Sequence, residues 1–328
     1  MSLAVLLTIS CVSLLAQIPI GEKEFLNQLS YGGPLPVNLL SSKTVVLHSH
    51  TFTDQELETA QEYFHQTGID AVAYFPIDMV VAGKDVSKAF SDQFNKREVS
   101  NLTILDKGGN TFRISFTSFN GKETIVEKQQ QAWSIENTSL TEALKSLQRT
   151  ASAGLKRTNL LINPLPEAGD GVKAIAGKRN EFYAVDMKVD LVAIPKFGVE
   201  ALDRELEQIV STNFPFNYKL TEPGTPEKEL RKQGMLYVMS FIMTRAKVAQ
   251  ELLGYNTSKS ESAVVSVTYP NGQQQLRNIP ANTPVFKVYF KHIDSGNVFL
   301  GTKWDADVSW QNALLNQIYG MKTELRLN

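Results

Sequence analysis

Twice along this chain, short apolar runs alternate with stretches whose apolar residues fall at helical spacing, and that alternation restricts the fold more than any other feature. In the first half, residues 44–47 read as an apolar strand. A helix over 53–66 follows, with Thr53 and Glu56 at capping-box spacing and Leu57, Ala60, Tyr63 and Phe64 on one face. Gly68 supplies its carboxy-terminal cap. Residues 71–75 read as a second strand and 86–94 as a second helix. Residues 101–105 and 111–119 form a hairpin through Lys107-Gly108-Gly109-Asn110. Ser139 and Glu142 then open a helix that runs through residue 150.

The second half repeats the order. Residues 189–194 read as a strand, and 199–212 as a helix with Leu202, Leu206 and Ile209 on one face. A strand at 216–220 precedes a long helix over 227–253. Its residues Met235, Met239 and Met243 stand at i, i+4 and i+8, with Val238 and Ile242 beside them, a core-packing stripe rather than a cofactor box. Because that helix is apolar on more than one face, burial between domains or in a homodimer is expected. Residues 262–269 and 285–292 read as strands, 297–303 continues a hairpin through Asp294-Ser295-Gly296, and 310–321 closes with a helix.

Both halves therefore predict βαβαββα, an α/β chain (α+β being the alternative) with helices packed on a mixed sheet in each of two domains. The domains span 17–162 and 181–328. A Pro-, Gly- and charge-rich linker at 163–180, NPLPEAGDGVKAIAGKRN, separates them. An internal duplication and two common folds sharing an element order both fit this pattern.

The balance of 33 basic and 34 acidic residues leaves no basic footprint for nucleic acid. No stretch after the first 20 residues is a run of 18 or more apolar residues, so no membrane span is expected in the mature chain. The start differs. Residues 4–16, AVLLTISCVSLLA, are apolar and uncharged, and Gln17 follows a small residue. That is the core of a signal peptide cleaved after Ala16, which predicts a secreted or periplasmic protein, although no Lys or Arg precedes the run. A buried amino-terminal strand or helix is the alternative. Cys11 is the only cysteine, and Thr8, Ile9 and Ser10 before it do not make a lipoprotein signal. After cleavage no thiol remains for a disulfide, a nucleophile or a metal.

The sharpest chemical motif is His48-Ser49-His50 at the end of the first strand. Two histidines at i and i+2 on a strand share a side, where they could bind a metal. The segment TFTDQELETAQEYFHQTGIDAVAYF that follows resembles the opening of PHP-type metal phosphoesterases, which carry His-x-His at a strand end and a later strand ending in Asp-His. Here that later strand ends Tyr74-Phe75-Pro76-Ile77-Asp78, and the other histidines are His65 and His292, too few for a two- or three-metal centre. No phosphate loop stands: Gly171 to Gly177-Lys178 has five intervening residues and Arg179 in place of Ser or Thr. Neither GxGxxG after a strand nor GxSxG occurs. The element order also resembles thioredoxin, but His50-Thr51-Phe52-Thr53 stands where a redox Cys-x-x-Cys belongs. The acid pairs Glu56 with Glu58 and Asp305 with Asp307 read as solvated helix-start charges.

The most specific text is VFKVYFKHIDSGNVFLG at 285–301, followed by a Trp-containing segment and the closing helix. With Leu191-Val192-Ala193-Ile194-Pro195-Lys196-Phe197 as an opening strand and Leu230–Gly234 before an apolar run, the second half resembles periplasmic domains of the TolB amino-terminal type. The same fold recurs in the curli-secretion pore protein and in lipoprotein activators of cell-wall synthases. The resemblance implies a non-enzymatic envelope protein that binds other envelope proteins, with no cofactor and no catalytic residue. Trp304 and Trp310 are then candidates for its contact surface. Two alternatives are kept: a metal-dependent hydrolase using His48 and His50, and a small-molecule or glycan binder with an interdomain cleft around 163–180. The export reading has a direct test: full-length chain made in a Gram-negative host should yield periplasmic protein whose first residue is Gln17, and cytosolic protein retaining Met1 would refute it.

Overall fold

The computed structural model describes residues 21–162, 166–168, 172–257 and 262–327, so the proposed signal segment, Cys11 and part of the linker lie outside the described residues. The class is mixed α/β. The first half runs α1 (Glu22–Leu26), β1 (Leu29–Tyr31), β2 (Lys43–His48), α2 (Asp54–Thr67), β3 (Asp70–Pro76), α3 (Ile77–Val80) and α4 (Lys84–Lys96). It continues with β4 (Val99–Gly108), β5 (Thr111–Ser118), β6 (Gln130–Asn137), α5 (Leu140–Gly154) and β7 (Glu167–Ala168). The second half runs β8 (Arg179–Asn180), β9 (Leu191–Pro195), α6 (Glu200–Asn213), β10 (Tyr218–Thr221), α7 (Glu227–Lys232), β11 (Met235–Arg245) and α8 (Ala246–Leu252). It ends with β12 (Ala263–Thr268), β13 (Gln275–Pro280), β14 (Pro284–His292), β15 (Val298–Phe299) and α9 (Trp310–Glu324).

The first sheet has the order β1-β6-β5-β4-β2-β3-β7 and the second β10-β9-β11-β14-β15-β8. Written in opposite directions, β1-β6-β5-β4-β2-β3 and β8-β15-β14-β11-β9-β10 match strand for strand, and β7 extends the first sheet by one more. In each, a central strand (β2, β9) has parallel neighbours on both sides, and an antiparallel pair follows (β4-β5-β6, β11-β14-β15). A short leading strand (β1, β8) then pairs parallel with the last. Each half is thus βαβαβββα after its leading strand, one strand longer than the sequence pattern predicts. The second half also carries an insertion, α8 and the two-stranded sheet β12-β13.

One expectation is corrected. The long helix over 227–253 is α7, then β11, then α8. Gly234, at φ +86°, stops α7 in a conformation L residues rarely adopt, and the chain leaves extended. β11 is paired along both edges and buried on both faces: Tyr237 and Met239 join one cluster, Val238 and Met235 another. A strand covered on both faces shows no period-2 alternation, so its Met and Ile residues mimic a helical stripe.

Each sheet has one face covered by its own helices. Ala60 and Phe64 of α2 and Leu144 and Leu147 of α5 pack on the first. Leu206 and Val210 of α6 and Leu314 and Ile318 of α9 pack on the second. The other two faces meet in a single core in which Val45, Leu47, Phe75 and Leu102 join Ile242, Val285, Tyr289 and Val298 through Val86, Phe90 and Phe94 of α4. Phe75, Phe90 and Phe94 form a ring cluster at centroid distances of 5.0 to 6.0 Å. At the seam Met243 N–H donates to the Ala82 carbonyl at 2.7 Å, and a Cβ on Gly83 would lie 2.7 Å from the Phe241 carbonyl oxygen. The backbones touch there.

The second half also holds a buried ion pair. Lys287, at 0% exposure, sits 2.6 Å from Asp305 Oδ1 and donates to the Leu300 carbonyl (2.9 Å) and Gln317 Oε1 (2.6 Å). Burial lowers the Lys287 pKa and raises that of Asp305 to about 6, against the pull of Lys287. Removing one partner strands the other charge, at a cost of roughly 3–5 kcal/mol, whereas replacing both by apolar groups is often near neutral. Urea unfolding of Lys287→Met should show that loss, and adding Asp305→Leu should recover most of it. A double variant as unstable as the single one would show that the pair is not the source.

Candidate functional site

In a parallel sheet the usual ligand crevice lies outside the carboxyl ends of the strands, where the crossover connections diverge. Here that point is at β2: the chain passes through α2 to β3 on one side, then returns through α3 and α4 to β4 on the other. His48 ends β2 at this crevice. It is 9% exposed, and its Nδ1 lies 3.0 Å from the Ser49 carbonyl, to which it donates. Burial lowers its pKa, which favours the neutral ring. His50 lies outside the strand in a turn, exposed, with Nδ1 3.0 Å from Glu22 Oε2 of α1. The structure thus gives the two histidines different partners, and no group of three His, Cys, Asp or Glu able to hold a metal occurs among the described residues.

The crevice is filled by the protein itself. Asp78, in α3 just past the end of β3, accepts from Arg245 Nε at 2.7 Å, Arg245 Nη2 at 3.1 Å and the Thr244 hydroxyl at 2.8 Å. Burial pushes the Asp78 carboxyl up, but the Arg245 and Thr244 bonds more than offset it and hold the pKa below the usual carboxylate value. Arg245 and Thr244 close β11, so the second half plugs the first half's switch point.

An open concavity lies farther along the seam. A cleft of about 480 Å³ is lined by α4, by the start of α7, by β14 and by linker residues Lys173, Ala174, Ile175 and Ala176. At its floor Lys291 sits between two carboxylates, Asp85 and Glu227, the latter at 2.5 Å, and Tyr289 O–H donates to Asp85 Oδ2 at 2.9 Å. Burial alone would lower the Lys291 pKa; Asp85 and Glu227 outweigh it and raise it. Burial, then the Asp85 charge, pushes the Tyr289 phenol well above its ordinary value. Lys291, Asp85 and Tyr289 are tied to one another in one network, so the floor presents fixed charge to the cleft.

The remaining sequence candidates serve the fold. Trp304 is 7% exposed, packed edge-on to Tyr255 at 5.1 Å, and Trp310 is half-buried against Phe197 at 4.8 Å. Glu56 completes the capping box with Thr53 and binds Lys107 at 2.6 Å. Asp307 accepts from Arg277 at 3.1 Å and from Ser309 N–H at 3.1 Å, beside the start of α9. Sequence reasoning missed Arg245, Asp85, Glu227 and Lys291 because each meets its partner across a long separation, and no local spacing reports such pairs. No helix of the described residues is long and apolar enough to cross a membrane. No protein-family model matches the chain, and no curated protein matches it.

The Asp78 clamp has a pH signature. Its folded pKa lies below the unfolded value near 3.9, so its stabilisation is complete at neutral pH and is lost as pH falls through the folded pKa. Asp78→Ala should cost roughly 3–5 kcal/mol at pH 7 in urea unfolding, with the gap to wild type closing below about pH 4. A gap that is unchanged at low pH would deny the carboxylate this role.

Proposed function

We propose that this chain is a non-catalytic binding protein of the cell envelope and that it holds a small ligand in the cleft between its two halves. The observation that carries this reading is the cleft itself: about 480 Å³, within the range of ligand sites, and lined by both halves and the linker between them. Its apolar lining by Ala89, Ala174, Ile175, Ala176, Pro226 and Val298 offers burial, and its ion-paired floor offers fixed polar recognition. The switch-point crevice supports the same reading, since Arg245 and Asp78 occupy the place where an α/β enzyme takes its substrate. Placement in the envelope rests on the apolar segment at 4–16 and on the resemblance of the second half to periplasmic domains.

A second reading, contact with an envelope protein, is favoured by the β12-β13 hairpin. The outer edge of β13 pairs with no strand among the described residues, and Leu276 is 70% exposed on it. Such an edge accepts an extended segment of a partner.

The two readings separate in one experiment. Ala89 is half-buried in the cleft wall, so Ala89→Trp should fill the space without disturbing the core. In a thermal-shift screen of amino acids, short peptides, sugars and nucleotides, one class should raise the melting temperature of the wild type and not of Ala89→Trp. If no class does, and a protein partner is retained equally by both forms, the edge is the binding surface and the cleft is not.

A further inference from the structure

The charges around the cleft carry the ligand's chemistry further, on the premise that the cleft is the binding site. At the inner end two carboxylates, Asp85 and Glu227, share the single ammonium of Lys291, which leaves one net negative charge. Asp85 has both oxygens engaged, Oδ1 by Lys291 and Oδ2 by the Tyr289 hydroxyl. Glu227 has only its Oε1 engaged by Lys291, and about a third of its side chain is exposed to the cleft. The surplus negative charge is therefore presented at Glu227.

Positive charge lines the same space. Lys88 is paired with Asp92 at 2.7 Å, but Lys84 and Lys173 have no ion pair among the described residues. Glu123 also lines the wall, close enough to Lys88 for their charges to interact. Ala89, Ala174, Ile175 and Ala176, which are small or aliphatic and offer no hydrogen-bonding side chain, line the same cleft.

A simple anion would meet Glu227, Glu123 and Asp85 as well as the lysines. A simple cation would meet Lys84 and Lys173. A neutral polyol would find ion pairs but few of the neutral polar side chains that bind sugars. A compact molecule with an ammonium at one end, a carboxylate at the other and small apolar groups between meets every part of the lining with its complement. We propose that the cleft binds a zwitterionic ligand of the short-peptide class, its ammonium at Glu227 and its carboxylate at Lys173.

Isothermal titration of the full chain with trialanine, N-acetyl-trialanine and trialanine amide tests this. Free trialanine should bind, and blocking either end should weaken binding about tenfold or more, as the loss of one charge-assisted contact implies. Glu227→Gln should weaken trialanine and leave its N-acetyl form unaffected, and Lys173→Met should weaken trialanine and leave its amide unaffected. Equal binding of all three probes, or binding only of a sugar or nucleotide that Ala89→Trp abolishes, would overturn the zwitterion while leaving the cleft as the site. Absence of any ligand sensitive to Ala89→Trp would overturn both.

Discussion

The apolar seam between the two sheets is the constraint on which the rest of the structure depends. A sheet with one helix-covered face must bury the other. In this chain neither half has helices enough to do so alone: α2 and α5 cover one face of the first sheet, α6 and α9 one face of the second. The remaining faces are buried against each other, with α4 between them. The close approach of Gly83 to β11 and the bond from Met243 to Ala82 hold backbone to backbone at the join. Parting the halves would expose Phe75, Phe90, Ile242 and Val285 together, so this is not a hinge built to open. A cleft at the edge of such a seam is preformed, and a ligand would enter it without a closing motion.

The same seam explains where recognition is possible. A switch point at β2 ordinarily invites a ligand, but the seam brings the end of β11 over it, and burying Arg245 there requires a counter-charge. Asp78 supplies that charge with two-pronged geometry, and Thr244 completes its bonding. The arrangement resembles a catalytic cluster in composition, with His48 close by, yet Asp78, Thr244 and Arg245 are engaged in holding the halves together. Charge in a buried place is here the consequence of packing.

Much of the local structure is legible in the sequence, and the reasons are local ones. The capping box at Thr53 and Glu56 is present with both of its bonds, Ser139 accepts from Glu142 N–H, and the hairpin turns at residues 109–110. Each signal lies within a few residues. The illegible parts are of two kinds. β11 was masked by burial on both faces, although Gly234 before it and the Val, Tyr, Phe and Ile within it favour extended chain. The ion pairs Asp78–Arg245, Asp85–Lys291 and Lys287–Asp305 join residues that only the fold makes neighbours. His48-Ser49-His50 fails in the opposite sense. Its i, i+2 spacing predicts a shared face only while the strand continues, and β2 stops at His48, so the turn carries His50 to Glu22.

The matching topology of the halves bears on the origin of the cleft. α4 and α7 are equivalent crossover helices, each leading into the strand beside the central one, and both deliver their first turns to the same cleft. A first turn favours acids because the orphan N–H groups and the helix dipole carry positive charge. Asp85 and Glu227 therefore stand where helix formation places them, and packing the two halves brings them together. Two acids so placed repel unless a cation lies between, and Lys291 on β14 meets both. The charge pattern of the cleft thus follows from two helix starts brought together by one buried seam, with a single lysine deciding how much negative charge is left over.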